Sequence, residues 1–209
     1  MRIAIFVHQP ICATDSINGI INALSKRYQF KLFSKDEVEP TFFDDVDVVC
    51  FPGGYGDCDR YDTLMKWNAE PVKNFIAQGG KYLGICMGAY WADKYYLNVL
   101  KDTRVVQYFK QPNACTRRPH PKAMPVLWNG QLERMYFYDG PAMIGGEFET
   151  ISTYTNGDAM AIVQDNIGLI GCHLESEKWW YDKKYLEPHW HKNRHYDMLL
   201  DFVDRLVQA

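Results

Sequence analysis

One cysteine of this chain lies in a sequence suited to a nucleophile. Cys86 is the centre of Gly84-Ile85-Cys86-Met87-Gly88, which follows a short apolar segment and precedes helix-forming residues. Small residues on both sides of a nucleophile, between a strand and a helix, are typical of a nucleophile elbow, here with cysteine in place of serine. The dipole of the following helix favours the thiolate. We therefore predict acyl-transfer chemistry at Cys86; the alternative is a buried structural cysteine in a tight turn.

A cysteine nucleophile needs a base, and the base needs a group that orients it. His173 and Glu175 occur at the end of a predicted strand, in Gly171-Cys172-His173-Leu174-Glu175. Side chains two residues apart share a face of an extended chain, so Glu175 can accept a ring N–H of His173. We expect this strand end to meet Cys86 at one edge of the sheet.

Backbone amides near these residues are candidates for an oxyanion hole, which stabilises charge on an attacked carbonyl. The amide of Met87, directly after the nucleophile, is one candidate. The segment Pro52-Gly53-Gly54-Tyr55-Gly56 is the other, since consecutive glycines at a strand end allow N–H groups to face a ligand. A plain turn between a strand and a helix explains these glycines equally well. Gly53, Tyr55 and His8 are candidate substrate-binding residues, although loop packing is an alternative for His8.

The elements that must position these residues alternate between strands and helices in the first half of the chain. Hydrophobic periodicity predicts strands over 2–7, 30–33, 47–51 and 82–85, and helices over 16–27, capped by Thr14-Asp15-Ser16, and 62–78. Short connections of this kind favour a parallel sheet with helices on both faces, which is an α/β three-layer sandwich. Ligands bind beyond the carboxyl ends of such strands, where His8, Gly53 and Cys86 fall.

The pattern changes after about residue 98 to shorter strands separated by turn residues. Predicted strands cover 104–109, 126–128, 132–138, 147–154, 159–164 and 167–173, with hairpin signals at Asn129-Gly130 and Asn156-Gly157. We expect an antiparallel β extension whose last strand returns to the parallel sheet. An amphipathic helix over 193–207 then closes the chain.

The composition excludes several classes of function. The chain has 209 residues and a formal charge of −3 with dispersed basic residues, which argues against nucleic-acid binding. No stretch approaches the ~18 apolar residues of a membrane span, so no membrane partner is expected. Six cysteines without CxxC pairs favour a reducing, cytoplasmic setting without disulfides. We expect no cofactor.

Two groups of residues have alternative interpretations. Aromatic residues concentrated in the second half predict either an aromatic wall around a site or rings that pack loops onto the sheet: Trp128, Tyr136, Phe137, Tyr138, Trp179, Trp180, Tyr181, Tyr185 and Trp190. His189, His191 and His195 have a spacing that would suit metal ligands, because the last two share a helical face. No Cys, Asp or Glu motif accompanies them, so we expect a solvated helix start and no metal.

Three motifs in order resemble a known superfamily. They are Phe51-Pro52-Gly53-Gly54, the elbow around Cys86, and His173-Leu174-Glu175, and they resemble the class I glutamine amidotransferase-like superfamily. The greatest similarity is to the N-terminal domain family of biotin–protein ligases and its stand-alone relatives. It rests on FPGG, the GGxYLGxCxGAY run and the segment Tyr136-Phe137-Tyr138-Asp139-Gly140.

The resemblance implies one flavodoxin-like domain over 1–209 and a Cys86-His173-Glu175 triad of nucleophile, general base and orienting carboxylate. It also implies Gly54 and Met87 as oxyanion donors, with Asp139 at the border of the site. The implied function is a cysteine-dependent amidase or hydrolase that acts on a small-molecule amide through a thioester, with a synthetase or ligase as a candidate partner. Leu174 replaces the proline usual in glutaminases, which weakens the case for glutamine itself.

Two alternative functions remain open from the sequence. One is a small-molecule or peptide hydrolase similar to intracellular proteases on this fold, where the acidic partner of the cysteine comes from an early strand end. The other is a non-catalytic binding or regulatory module with an inherited triad.

Overall fold

The computed structural model describes residues 1–209, apart from the side chain of Pro40. The strands are β1 (Arg2–Phe6), β2 (Gln29–Phe33), β3 (Val48–Phe51), β4 (Lys81–Ile85), β5 (Arg104–Gln107), β6 (Lys122–Trp128), β7 (Gln131–Phe137), β8 (Pro141–Ile144), β9 (Glu149–Tyr154), β10 (Ala159–Gln164) and β11 (Ile167–Ile170). The α-helices of the described residues are α1 (Thr14–Leu24), α2 (Arg60–Met65), α3 (Ala69–Ala77), α4 (Met87–Trp91) and α5 (Arg194–Gln208). Short 3-10 turns connect several of them.

The strands form one sheet whose two halves differ in direction. Its main order is β2-β1-β3-β4-β11-β10-β9-β6-β7, and β8 joins β5 to β10. The pairs from β2 to β11 are parallel, and the pairs beyond β11 are antiparallel. This confirms the predicted α/β fold with a parallel central part and an antiparallel extension, including the return of the last strand beside β4.

The inner strands of the parallel half, β1, β3, β4 and β11, are buried, as their continuous apolar runs predict, whereas the edge strand β2 is partly exposed. Every residue of β3 is buried, and helices pack in two groups, α1 with α5 and α2 with α4. The amphipathic α5 buries Leu199, Phe202, Val203 and Leu206. Gly168 on β11 provides the space for this helix, because a Cβ there would lie 2.8 Å from the Phe202 ring. No helix of the described residues has both the length and the apolar character needed to cross a membrane.

The predicted helix over 62–78 is wrong, because the structure divides it into α2 and α3. The side chain of Asn68 donates a hydrogen bond to the carbonyl of Lys35, and such side-chain bonds compete with helix formation. Pro71, which lacks an N–H, is accommodated in the first turn of the second helix. Asn68 and Pro71 together therefore start a new helix instead of continuing the first.

Several other bounds differ from prediction. The strand β8 was not predicted, and the strands predicted over 104–109 and 167–173 end at Gln107 and Ile170. The predicted cap of α1 is also wrong: its N-cap is Ala13, without a side-chain hydrogen bond. Ser16 lies inside the helix and is buried, so its hydroxyl does not cap the helix.

Candidate active site

Cys86 occupies a strained backbone conformation between β4 and α4. Its φ is 51° and its ψ −103°, a region that costs about 1–3 kcal/mol for a residue other than glycine. A Cβ on Gly88 would overlap the carbonyl oxygen of Phe51, and one on Gly84 would lie 2.6 Å from the carbonyl oxygen of Gly88. The elbow therefore requires both glycines. The amide of Cys86 donates to the carbonyl of Ile170 at 2.9 Å, which fixes the elbow to the end of β11.

His173 and Glu175 form a buried pair just beyond β11. His173 Nδ1 lies 2.7 Å from Glu175 Oε1, and both side chains are almost fully buried. The contact arises in a turn rather than along an extended strand, since the amide of Ser176 donates to the carbonyl of His173. The amide of His173 donates in turn to the carbonyl of Tyr136 at 2.8 Å, which anchors the histidine to the end of β7.

The surroundings of His173 favour its protonated form. Burial lowers the pKa of the imidazole, but the charges of Glu175 and Cys86 and hydrogen bonds to both side chains outweigh burial and raise the pKa to about 10. Because Glu175 engages Nδ1, Nε2 is the ring nitrogen available to Cys86.

Ser16 is a site residue that the sequence analysis did not identify. Its Oγ donates to Glu175 Oε1 at 2.7 Å and accepts the amide N–H of Gly53 at 3.1 Å. Helix α1 reaches this position because Gly19 has no side chain; a Cβ there would overlap the carbonyl oxygen of Glu175. A serine in the first turn of a helix reads as a capping residue, so the sequence carries no distinctive signal for this contact.

Gly54 and Met87 lie side by side at the predicted oxyanion position. A Cβ on Gly54 would lie 2.5 Å from Met87 Sδ. Backbone hydrogen bonds from Ala13 to Gly53 and from Tyr55 to Ile11 flank Gly54, and none of the described groups accepts its N–H. Met87 is the first residue of α4, where amides have no acceptor within the helix. The amide of Gly53, by contrast, is already bonded to Ser16.

The comparisons with known proteins bear on this arrangement. Residues 9–105 match the family described as biotin-protein ligase, N terminal. The match covers just under half of the chain and confirms the resemblance inferred from the motifs. No curated protein sequence matches the chain.

Solved structures extend the likeness in fold to the whole chain. A glutamine amidotransferase from Thermotoga maritima has a TM-score of 0.71 at 13% identity, with 100% of this chain and 99% of that chain covered. Another glutamine amidotransferase has a TM-score of 0.67 at 14% identity, with 99% of both chains covered. PurLQS from Thermotoga maritima has a TM-score of 0.64 at 13% identity, with 97% and 98% covered. At these identities the likeness shows the fold, which is flavodoxin-like in these amidotransferases.

Asp139 and His8, two other predicted site residues, have different surroundings. The carbonyl of Asp139 accepts a hydrogen bond from the Tyr90 hydroxyl at 3.0 Å, and Tyr90 lies one turn after Cys86 on α4. Burial raises the pKa of Asp139, whose Oδ2 accepts from Gln107. The ring of His8 stacks on Phe6 with centroids 6.5 Å apart, at the carboxyl end of β1.

Gly53 and Tyr55 have different relations to the site. A Cβ on Gly53 would lie 2.6 Å from His173 Cε1, so this glycine provides the space for the imidazole. The ring of Tyr55 is 59% exposed, and its hydroxyl lies 3.5 Å from Asp15 Oδ2.

A concavity of about 670 Å³, lined in part by Met1, Asp47 and Lys81, lies at the amino end of the parallel strands and contains none of the predicted site residues.

The expectation of a solvated helix start at the histidine cluster is wrong. His191 and His195 are buried and their rings stack with centroids 4.2 Å apart. His191 Nε2 donates to the carbonyl of Ser176 at 2.9 Å, and its Nδ1 accepts the amide of His195. The described residues contain no group of three or more His, Cys, Asp or Glu side chains arranged for a metal ion. Through these two hydrogen bonds, His191 connects the start of α5 to Ser176, the residue after Glu175.

Proposed function

We propose that this chain is a single-domain, cysteine-dependent amidase or hydrolase of the glutamine amidotransferase-like class, acting through a thioester. The observation that carries the proposal is the buried His173–Glu175 hydrogen bond at the sheet edge that also holds the strained Cys86. Two further amides support it, because neither has an acceptor among the described residues: that of Met87, the residue after Cys86, and that of Gly54, which lies against the Met87 side chain.

The proposed reaction begins when Cys86 Sγ attacks the carbonyl carbon of an amide. A C–S bond forms, and the amides of Gly54 and Met87 hold the resulting oxyanion. The protonated His173 then donates its Nε2 proton to the leaving nitrogen, and the C–N bond breaks to give a thioester and a free amine. Water attacks the thioester as His173 Nε2 accepts its proton, which releases the carboxylic acid and Cys86. Glu175 keeps the imidazole oriented in both steps.

Two features of the site favour this function over a hydrolase similar to intracellular proteases. That alternative needs a carboxylate from an early strand end, but the positions after β1 and β3 carry His8 and Gly53. The carboxylate that contacts His173 is Glu175, which follows the last strand. The names of the structural neighbours, two glutamine amidotransferases and PurLQS, support the proposed class and a synthetase or ligase as a candidate partner.

The test is covalent trapping of the nucleophile. We expect a glutamine-like chloroketone to alkylate Cys86, as located by mass spectrometry, and Cys86→Ala to abolish labelling and any amidase activity while the fold is retained. Cys115→Ala is the matched control, because Cys115 is exposed and free but lies outside the proposed machinery. Full activity of Cys86→Ala would contradict the assignment of the nucleophile, and absence of labelling at Cys86 would contradict the proposal and favour a non-catalytic binding module.

A further inference from the structure

The turn that carries Glu175 is held by two separate parts of the chain. In α1, Gly19 packs against the carbonyl of Glu175, and Ser16 donates to Glu175 Oε1 at 2.7 Å. The next residue, Ser176, is fully buried, and its amide donates to the carbonyl of His173 at 3.3 Å, which closes the turn. The position of Glu175 therefore depends on α1 and on the groups that hold Ser176.

His191 and Tyr181 provide the other two contacts of Ser176. His191 Nε2 donates to the carbonyl of Ser176 at 2.9 Å, and the hydroxyls of Ser176 and Tyr181 share a hydrogen bond of 3.0 Å. Both side chains are buried, and their ring centroids lie 5.9 Å apart. The N–H, the carbonyl and the hydroxyl of Ser176 are thus all bonded, which fixes the end of the turn to the segment that leads into α5.

The tautomer of His191 is set by its second hydrogen bond. Nδ1 accepts the amide N–H of His195 at 3.3 Å, so the ring proton is on Nε2 and is available to Ser176. The ring of His195 stacks on that of His191, but neither of its nitrogens forms a hydrogen bond within the described structure. The two buried histidines therefore differ, because the side chain of one bonds the turn and that of the other only packs.

Glu175 is sensitive to the position of the turn because only one of its carboxylate oxygens is bonded. Oε1 lies 2.7 Å from His173 Nδ1, whereas Oε2 is buried and has no hydrogen-bond partner among the described residues. A shift of the backbone at Glu175 would therefore lengthen its contact with the imidazole. Displacements of this kind by about 1 Å reduce catalytic rates strongly, since the reacting groups must keep a narrow range of geometry.

We propose that His191 is a positioning residue for the candidate catalytic pair, because its bond to Ser176 holds the turn that sets Glu175 Oε1 against His173 Nδ1. The inference rests on the proposed function and adds a residue to its machinery. It gives a role to one member of the histidine cluster for which the sequence suggests either metal ligands or a solvated helix start.

The test compares two substitutions of His191 that differ in one hydrogen bond. An asparagine amide reaches the position of Nδ1 but not that of Nε2, whereas a glutamine amide reaches the position of Nε2. We expect His191→Asn to slow alkylation of Cys86 by a glutamine-like chloroketone about tenfold, the effect of one lost hydrogen bond, and to lower the pKa of His173 measured by NMR. His191→Gln should retain both the rate and the pKa.

His195→Asn is the matched control, because His195 is fully buried and stacks on the same ring without a hydrogen bond from its own ring nitrogens. It should lower the free energy of unfolding but leave the labelling rate and the pKa of His173 unchanged. Equal losses of rate in His191→Asn and His195→Asn, or an unchanged His173 pKa in His191→Asn, would overturn the positioning role and leave the proposed function intact.

Two further measurements separate this inference from the proposed function. Absence of chloroketone labelling at Cys86 in the unmodified protein would overturn the proposed function, and the NMR titration of His173 would still decide whether His191 supports the buried pair. Tyr181→Phe removes the other side-chain bond to Ser176 and should lower the His173 pKa in the same direction. It keeps the test decisive if His191→Asn does not fold.

Discussion

Two buried histidine sites, each with a nearby glutamate, differ in the direction of the histidine pKa shift. At the candidate active site, the pKa of His173 is raised to about 10 beside Glu175. At the start of α5, burial lowers the pKa of His191 to about 4 and of His195 to about 3, although Glu133 faces His195. Burial alone therefore does not decide the charge of a histidine in this protein.

The difference lies in what each carboxylate is bonded to. Glu175 Oε1 lies 2.7 Å from His173 Nδ1, whereas Glu133 Oε2 lies 3.5 Å from His195 Nε2, outside hydrogen-bond geometry. Both oxygens of Glu133 are engaged by the guanidinium of Arg194, which lowers the pKa of Glu133 and offsets its charge. In this protein, the histidine pKa is raised where the carboxylate bonds the ring directly, and lowered where a guanidinium engages the carboxylate instead.

The largest predicted effect is the removal of the charge on Glu175. In Glu175→Gln the desolvation of His173 is no longer offset by this carboxylate, so we expect its pKa to fall by several units and acylation of Cys86 to slow by about three orders of magnitude. NMR titration of the His173 ring and the chloroketone labelling rate measure the two effects. Glu133→Gln is the control and should leave the pKa of His173 unchanged. An unchanged His173 pKa in Glu175→Gln would refute the assignment of the raised pKa to Glu175.

The second prediction concerns stability in acid. A histidine whose folded pKa is depressed contributes stability above its unfolded pKa near 6.5, and this contribution is lost as pH falls toward the folded pKa. His191 and His195 should therefore reduce the free energy of unfolding by about 2–3 kcal/mol per pH unit between pH 6 and 4. The groups that face them are Glu133 and Arg194, with Glu175 nearby.

Urea unfolding at a series of pH values measures this slope. A double variant, His191→Asn with His195→Gln, should flatten the acid limb, although its stability at pH 7 falls because the Ser176 contact is altered. His173 contributes with the opposite sign: its stabilisation is complete below pH 6.5 and is lost as pH rises through about 10. If the free energy of unfolding of the double variant keeps the same slope between pH 6 and 4, the slope arises from other groups.

The sequence predicts the parts of the protein that depend on local pattern. The parallel strands have continuous apolar runs, and the elbow needs glycines at fixed positions. Both can therefore be recognised from the sequence alone. The end of α2 at Met65 is not visible in the sequence, because it depends on a bond from Asn68 to a carbonyl in another element. Burial of His191 and His195 was missed for a similar reason, since polar residues at a helix start are usually solvated.

The smallest predicted effect tests the hydrogen bond from Ser16. In Ser16→Ala, Glu175 Oε1 loses one donor and the amide of Gly53 loses its acceptor, so we expect acylation of Cys86 to slow by about tenfold. Ser152→Ala is the matched control, because Ser152 is equally buried but its Oγ has no hydrogen-bond partner in the described structure. If the labelling rate and the free energy of unfolding fall by the same amounts in both variants, Ser16 is a packing residue. A loss of rate confined to Ser16→Ala, with a shifted pKa of His173, indicates that α1 positions the pair, because among the described side chains only Ser16 joins the helix to the Glu175 carboxylate.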